Sequence, residues 1–178
     1  VGRGAEANAP AGEPARHSGK PNPLKNVFFG EQHLHTSASP DAFAVGTRGT
    51  WEDAYRYAKG EEVTLTPSGK KIKKRTPYDF VALTDHAEYF GVMPQLIDPK
   101  NPLSKTALGK ELSNPTVPPT SPESAVNQIL HSILTSTAMP EFVKPVMLES
   151  NWRAAVDVIN KYNNPGEFTT LIAFEWPS

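Results

Sequence analysis

The chain has 178 residues, and its 18 Lys and Arg against 19 Asp and Glu give a formal net charge of -1. This balance gives no support to nucleic-acid binding or to a polybasic membrane role. The lack of cysteine excludes disulfides, thiolate metal sites and cysteine nucleophiles. No apolar run approaches the roughly 20 residues that cross a bilayer. We therefore expect no nucleic-acid partner and no membrane span.

Residues 1–25 are rich in Gly, Ala, Pro and charged residues, and we expect them to form a disordered leader. The first methionine is Met93, so we expect that a segment upstream of Val1 was removed or left out. Removal of a secretory signal peptide is one explanation and predicts a periplasmic or secreted protein. An arbitrary boundary is the other explanation. Residues 26–178 are predicted to be the structured part.

The first predicted element is a buried strand over residues 27–35, which turns polar at its end. Thr50 then caps a predicted helix that has carboxylates in its first turn and ends at Gly60. Residues 63–66 and 70–75 flank a Pro-Ser-Gly turn and predict a hairpin.

A second buried strand is predicted over residues 78–84, and a proline-rich region follows it. Residues 93–122 carry seven prolines and predict loop, with a short helix near residues 105–112. Ser121-Pro122 predicts the start of a helix with apolar residues at helical spacing, and a second such helix ends near residues 163–166. The third buried strand is predicted over residues 168–174.

Apolar strands separated by helices predict an α/β architecture with a parallel sheet. The three predicted strands all have ionisable residues at their carboxyl ends, where α/β proteins place their active sites. This coincidence is the main indication of function in the sequence.

His33 and His35 share one face of the first strand, with their Cα atoms roughly 6.5–7 Å apart, and could converge on a metal ion. Glu31 has the same parity and could reach the same cavity. A hydrogen-bonded histidine pair at a strand end is the alternative. Glu88, just past the second strand, could support a ligand or transfer a proton as a catalytic residue, or could face solvent.

Further candidates come from the other strand ends and from one loop: Asp85 and His86, Glu175, and Asp41. Their alternative roles are polar strand caps, an exposed carboxylate and a turn aspartate. Together, histidines and carboxylates without cysteine suit a hydrolytic site that holds Zn, Mn or Fe. The basic run at residues 70–75 predicts a solvated hairpin arm that could help to attract an anionic substrate.

Residues 29–36 with 39–42 resemble the first motif of the polymerase-and-histidinol-phosphatase (PHP) superfamily. Residues 83–86 resemble its second motif and residues 173–175 its third. Three further stretches narrow the resemblance to the exported branch catalogued as domain-of-unknown-function family 3604: residues 51–60, 85–88 and 174–176. The resemblance covers the chain from about residue 26 to its last residue.

This resemblance implies the N-terminal part of a distorted (β/α)7 TIM-like barrel of PHP type, with a helical, Pro-rich insertion between the second and third strands. It also implies a cluster of two or three divalent ions. In that cluster His33 and His35 would bind one metal, Asp41 and His86 would complete neighbouring positions, Glu175 would bridge, and Asp85 would support them as a ligand or from behind. Glu31 stands where the superfamily usually has Asp.

The superfamily takes further ligands from later strands, so residues 26–178 would be the N-terminal, incomplete portion of such a domain. The remaining C-terminal portion is then an expected partner. We expect a metal-dependent hydrolase of small anionic esters, phosphate or sulfate, that is inactive as this chain alone. The alternative is a non-catalytic metal- or ligand-binding module.

Overall fold

A computed structural model of the chain describes residues 26–176. Its strands are β1 (Gly30–Glu31), β2 (Glu62–Thr64), β3 (Lys71–Lys73), β4 (Phe80–Ala82) and β5 (Thr169–Leu171). Its helices are α1 (Pro40–Ala44), α2 (Trp51–Ala58), α3 (Met93–Ile97), α4 (Ala107–Ser113), α5 (Ala125–Leu134) and α6 (Pro145–Tyr162), with a 3-10 turn at Pro102–Lys105. The leader predicted over residues 1–25 lies outside the described residues.

Strand β4 is the centre of a parallel three-stranded sheet in the order β1-β4-β5. Phe80 at its start is in register with Gly30 on one side and with Thr169 on the other. Strands β2 and β3 form a separate antiparallel hairpin, in which Val63 is opposite Ile72, as the Pro-Ser-Gly turn predicts.

The sheet is open, so the predicted N-terminal part of a (β/α)7 TIM-like barrel of PHP type is wrong. Within residues 26–176, β1 and β5 each pair with β4 and form opposite edges of the sheet. In a closed barrel every strand has two neighbours, with a common tilt and stagger. Here β1 and β5 have one neighbour each among the described residues. The α/β class with parallel strands is confirmed. The helices α3–α6 all lie between β4 and β5 in the chain, and α3 and α4 fall within the proline-rich residues 93–122.

The first strand is much shorter and more exposed than its apolar sequence predicts. Val27, Phe28 and Phe29 are 67%, 54% and 68% exposed, because they precede the paired residues of an edge strand. Gly30 begins the pairing at a point of very close approach, since a Cβ there would collide with the carbonyl oxygen and ring of Phe80.

Two hydrophobic cores hold the described residues together. The sheet core contains Tyr55, Ala58, Val81, Leu83, Ile159 and Phe168 and packs α2 and α6 against the strands. The helical core contains Phe43, Tyr89, Val92, Met93, Leu96, Ile129 and Phe142 and joins the helices that follow β4 to α1. None of the helices in residues 26–176 is both long enough and apolar enough to cross a membrane.

The local sequence predicts the first residue of some helices correctly and fails for others. In α2, Thr50 and Asp53 form the capping box that places the start as predicted. Helix α5 begins at Ala125 and not at Ser121-Pro122, because Ser124 accepts the hydrogen bond from the amide of Asn127. Helices α1 and α3 have five residues each, which is too short for an apolar period to reveal them.

Candidate metal centre

The carboxyl ends of β1, β4 and β5 bring the predicted site residues to one edge of the sheet. Backbone pairing continues past the strands: the amide of Thr84 donates to Leu34 O at 2.9 Å, and the amide of Ala87 donates to Glu175 O at 2.9 Å. Glu175 and His86 are therefore bridge partners on adjacent parallel segments. The sheet thus fixes the separation between the histidine segment after β1 and the carboxylate after β5.

The first donor group consists of His33, His35 and Glu175, whose ligand atoms all lie within 4.8 Å of one another. Glu175 Oε2 is 3.0 Å from His33 Nε2 and 2.6 Å from His35 Nε2. The His33 side chain is 72% exposed, whereas that of His35 is 13% exposed. Two imidazoles from alternate residues thus converge on one carboxylate oxygen, as the His-x-His spacing predicts.

The second donor group consists of His35, Asp41 and His86, within the same limit of 4.8 Å. Both carboxylate oxygens of Asp41 are 3.1 Å from His35 Nδ1, and Asp41 Oδ2 is 3.7 Å from His86 Nε2. Asp41 reaches this position from the first turn of α1. The two groups share His35, which uses a different ring nitrogen toward each carboxylate.

The electrostatics of the centre favour a cation between these groups. Burial alone would lower the pKa of His35, but hydrogen bonds and charge from Asp41 and Glu175 raise it above the usual value. Burial would raise the pKa of Asp41, yet hydrogen bonds from Ser39 and His35 lower it to about 2. The pKa of Glu175 is also lowered: burial acts against this, and the hydrogen bonds from His35 and His33 outweigh it. The two carboxylates that flank His35 thus favour positive charge at this point.

Asp85 lies apart from both donor groups, although it directly precedes His86. Its side chain is 1% exposed and accepts hydrogen bonds from the amide of Thr36 at 2.5 Å, the hydroxyl of Thr36 at 2.8 Å and Trp51 Nε1 at 2.8 Å. Burial raises the pKa of this carboxyl. Asp85 therefore ties the segment after β1 to β4 and α2, and supports the histidines from behind.

Glu88 faces the other side of His86. Its Oε2 is 3.7 Å from His86 Nδ1, and both atoms are buried without a hydrogen-bond partner among the described residues.

Glu31 and the basic run at residues 70–75 do not belong to either donor group. The Glu31 side chain folds back on its own segment, where its Oε1 accepts hydrogen bonds from the amides of Gln32 and His33. In the basic run, Lys71 pairs with Glu62 at 2.8 Å and the Lys74 ammonium lies over the Tyr78 ring.

Sequence reasoning misses Ser39, which is fully buried at the start of α1. Its hydroxyl is within hydrogen-bond distance of Asp41 Oδ1, His35 Nδ1 and the amide of His86. The Ser39-Pro40 pair carries a signal for a helix start, but nothing in it indicates contact with His86, which lies 47 residues away.

A sequence model of a protein family, described as "Protein of unknown function (DUF3604)", matches residues 22–178. The match covers every residue of both donor groups together with Asp85 and Glu88. No curated protein and no solved structure matches the chain significantly.

Proposed function

The chain belongs to the DUF3604 family, and we propose that it is a metal-dependent hydrolase of anionic esters, with phosphate esters as the first substrate class and sulfate esters as the second. The convergence of His33 Nε2 and His35 Nε2 on one oxygen of Glu175 carries this proposal. Two imidazoles and a carboxylate are the protein ligands of many catalytic zinc sites.

The donor chemistry fits two or three divalent ions that accept nitrogen and oxygen ligands, namely Zn, Mn or Fe. His33, His35 and Glu175 would hold the first ion. Asp41 and His86 would hold a second, and Glu175, which is paired with His86 on the sheet, would reach both. Metal binding also accounts for carboxylates and imidazoles gathered so closely in one place.

When bound, such ions would lower the pKa of a water towards ~7 and offset negative charge on the ester oxygens. The residues of the chain would orient the ligands. Asp41 accepts the hydrogen bond from His35 Nδ1, which leaves His35 Nε2 to face Glu175. Glu88, 3.7 Å from His86 Nδ1, would accept a hydrogen bond from that nitrogen and hold the ring, or would act as a proton acceptor for the reacting water.

Two further features support an anionic substrate. The motifs at residues 29–36, 83–86 and 173–175 are similar to those of the PHP superfamily, which supports hydrolytic phosphoester chemistry. Five basic residues lie at positions 70–75, in strand β3 and directly beside it, and such a cluster attracts anions by long-range electrostatics. We further propose export as the setting of this activity and a C-terminal portion as the source of additional ligands.

Metal binding by the intact chain is the direct test. We expect wild type to take up Zn²⁺ or Mn²⁺ in titration calorimetry. Loss of a residue that only hydrogen-bonds to a metal ligand lowers metal affinity roughly 10–100-fold. Loss of a ligand itself should lower the affinity further, so His33→Ala and Glu175→Ala should bind metal far more weakly than wild type. His131→Ala, at an exposed histidine of α5, is the matched control and should bind as wild type does.

Equal metal uptake by wild type, His33→Ala and Glu175→Ala would show that the site assignment is wrong. Ester hydrolysis is then measured on nitrophenyl phosphate and nitrophenyl sulfate, with this chain alone and with this chain joined to the proposed C-terminal portion. Metal uptake without hydrolysis by either would favour the non-catalytic binding module.

A further inference from the structure

Ser39 occupies the N-cap position of α1, yet its hydroxyl does not cap the helix. Within the described residues, no amide of the first turn of α1 donates to it. Its Oγ lies instead 2.5 Å from Asp41 Oδ1, 3.1 Å from His35 Nδ1 and 3.2 Å from the amide nitrogen of His86. One fully buried hydroxyl therefore touches all three residues of the second donor group.

The hydrogen-bonding capacity of these groups fixes where the protons are. A hydroxyl has one hydrogen to donate and two lone pairs, and a carboxylate only accepts. The Ser39 hydroxyl therefore donates to Asp41 and accepts from the amide of His86. Its remaining lone pair and the two Asp41 oxygens all face His35 Nδ1, so this nitrogen must carry a hydrogen.

Without an ion, His35 Nε2 faces the acceptor-only carboxylate of Glu175 at 2.6 Å, so by the same count it carries a hydrogen as well. A metal ligand must be the neutral ring with one N–H, and a hydrogen held at Nδ1 then leaves the lone pair at Nε2. His35 Nε2 is the atom that faces Glu175 and belongs to the first donor group. We propose that Ser39 is a positioning residue that, together with Asp41, fixes the Nδ1–H tautomer of His35 and directs its Nε2 lone pair into the first donor group. This inference rests on the proposed function, because it gives that lone pair a metal to bind.

One consequence concerns the second donor group. With its Nδ1 protonated, His35 is no ligand there, and His86 and Asp41 are the members left to hold an ion. The two groups are then unequal: the first keeps three ligands of its own, whereas the second keeps two and has to share Glu175 with the first. Zn²⁺ should consequently fill the first group at lower concentration than the second.

The test compares Zn²⁺ binding by wild type, Ser39→Ala and the matched control Ser37→Ala. Ser37 is also buried, and among residues 26–176 no hydrogen bond joins its side chain to a candidate ligand. We expect Ser39→Ala to bind Zn²⁺ about 10–100-fold more weakly, as for other outer partners of metal-bound histidines, and Ser37→Ala to bind as wild type does. Urea denaturation of each variant checks that the binding is measured on folded protein.

Ring-nitrogen NMR of Zn²⁺-loaded wild type provides a second readout that a purely structural role would not move. We expect His35 to show a protonated Nδ1 and a metal-bound Nε2. A metal-bound Nδ1, or Zn²⁺ affinity of Ser39→Ala equal to that of Ser37→Ala, overturns the role of Ser39 and leaves the proposed function standing. Absence of Zn²⁺ uptake by wild type overturns both.

Discussion

The two hydrophobic cores of this chain differ in their relation to the candidate metal centre. The sheet core lies beneath the strand ends that supply His33, His35, His86 and Glu175. The helical core is larger, but neither donor group takes a residue from α3–α6. Helix α1 connects the helical core to the candidate metal centre, because Phe43 belongs to that core and Asp41 to the second donor group. The comparison separates residues that hold the fold together from residues that place the ligands.

The largest effect on stability is expected in the helical core. Phe142 is fully buried and its ring meets that of Tyr89 edge-on, with the centroids 5.2 Å apart. Phe142→Ala should lower the free energy of unfolding by about 4 kcal/mol, through lost burial and the cavity it leaves. The folded fraction should bind Zn²⁺ with wild-type affinity, as measured by urea denaturation and calorimetry.

The milder Phe142→Leu serves as the control, because it keeps most of the apolar volume. A large loss of Zn²⁺ affinity in either variant, measured where the protein is still folded, would show that the helical core also shapes the metal centre. The separation of the two regions would then be wrong.

Substitution of Asp85 should have the next largest effect, and it should lower both the free energy of unfolding and the affinity for Zn²⁺. Asp85→Ala leaves the amide and hydroxyl of Thr36 and Trp51 Nε1 buried without their acceptor. We expect a loss of about 3 kcal/mol in the free energy of unfolding, since buried unsatisfied donors are costly. Zn²⁺ affinity should fall as well, because Thr36 directly follows His35.

Trp51→Phe is the matched variant for Asp85→Ala, because it removes a single donor to the same carboxylate and keeps a ring against Phe90. It should cost about 1 kcal/mol of unfolding free energy. Unchanged Zn²⁺ affinity in folded Asp85→Ala would contradict the role of Asp85 in holding the histidine segment.

The smallest effect is expected at two helix starts, one in each region. Thr50 accepts from the amide of Asp53 in α2, and Thr106 accepts from the amide of Gly109 in α4. Thr50→Ala and Thr106→Ala should each lower the free energy of unfolding by about 1 kcal/mol, without any change in Zn²⁺ affinity. A loss of affinity in Thr50→Ala alone would show that α2 is coupled to the centre more tightly than the contact of Trp51 with Asp85 suggests.

Several elements of the fold and of the candidate site could be predicted from local sequence patterns. The cap at Thr50, the hairpin turn and the parallel strands that end in ionisable residues all follow from the chemistry of neighbouring residues. The position of His33 and His35 on one face also follows from local sequence, since residues two apart on a strand share a face. These features depend on short stretches of chain, and the structure confirms them.

The features that escaped prediction depend on distant partners. The exposure of Phe28 and Phe29 reflects the position of β1 at a sheet edge, which its own composition does not reveal. The direction of the Asp85 side chain is set by Trp51, 34 residues earlier, and by Thr36. An apolar run predicts burial in general, but pairing partners decide how many strands meet and whether they close.

Gly30 has a consequence for how this protein would respond to random mutation. The backbone of β1 approaches Phe80 so closely that there is no room for a Cβ at this position. Any other residue would displace β1 from β4 and shift His33 and His35 away from Glu175, although every ligand would still be present. A genetic screen for loss of the proposed metal binding should therefore recover substitutions at this glycine alongside those at the histidines themselves.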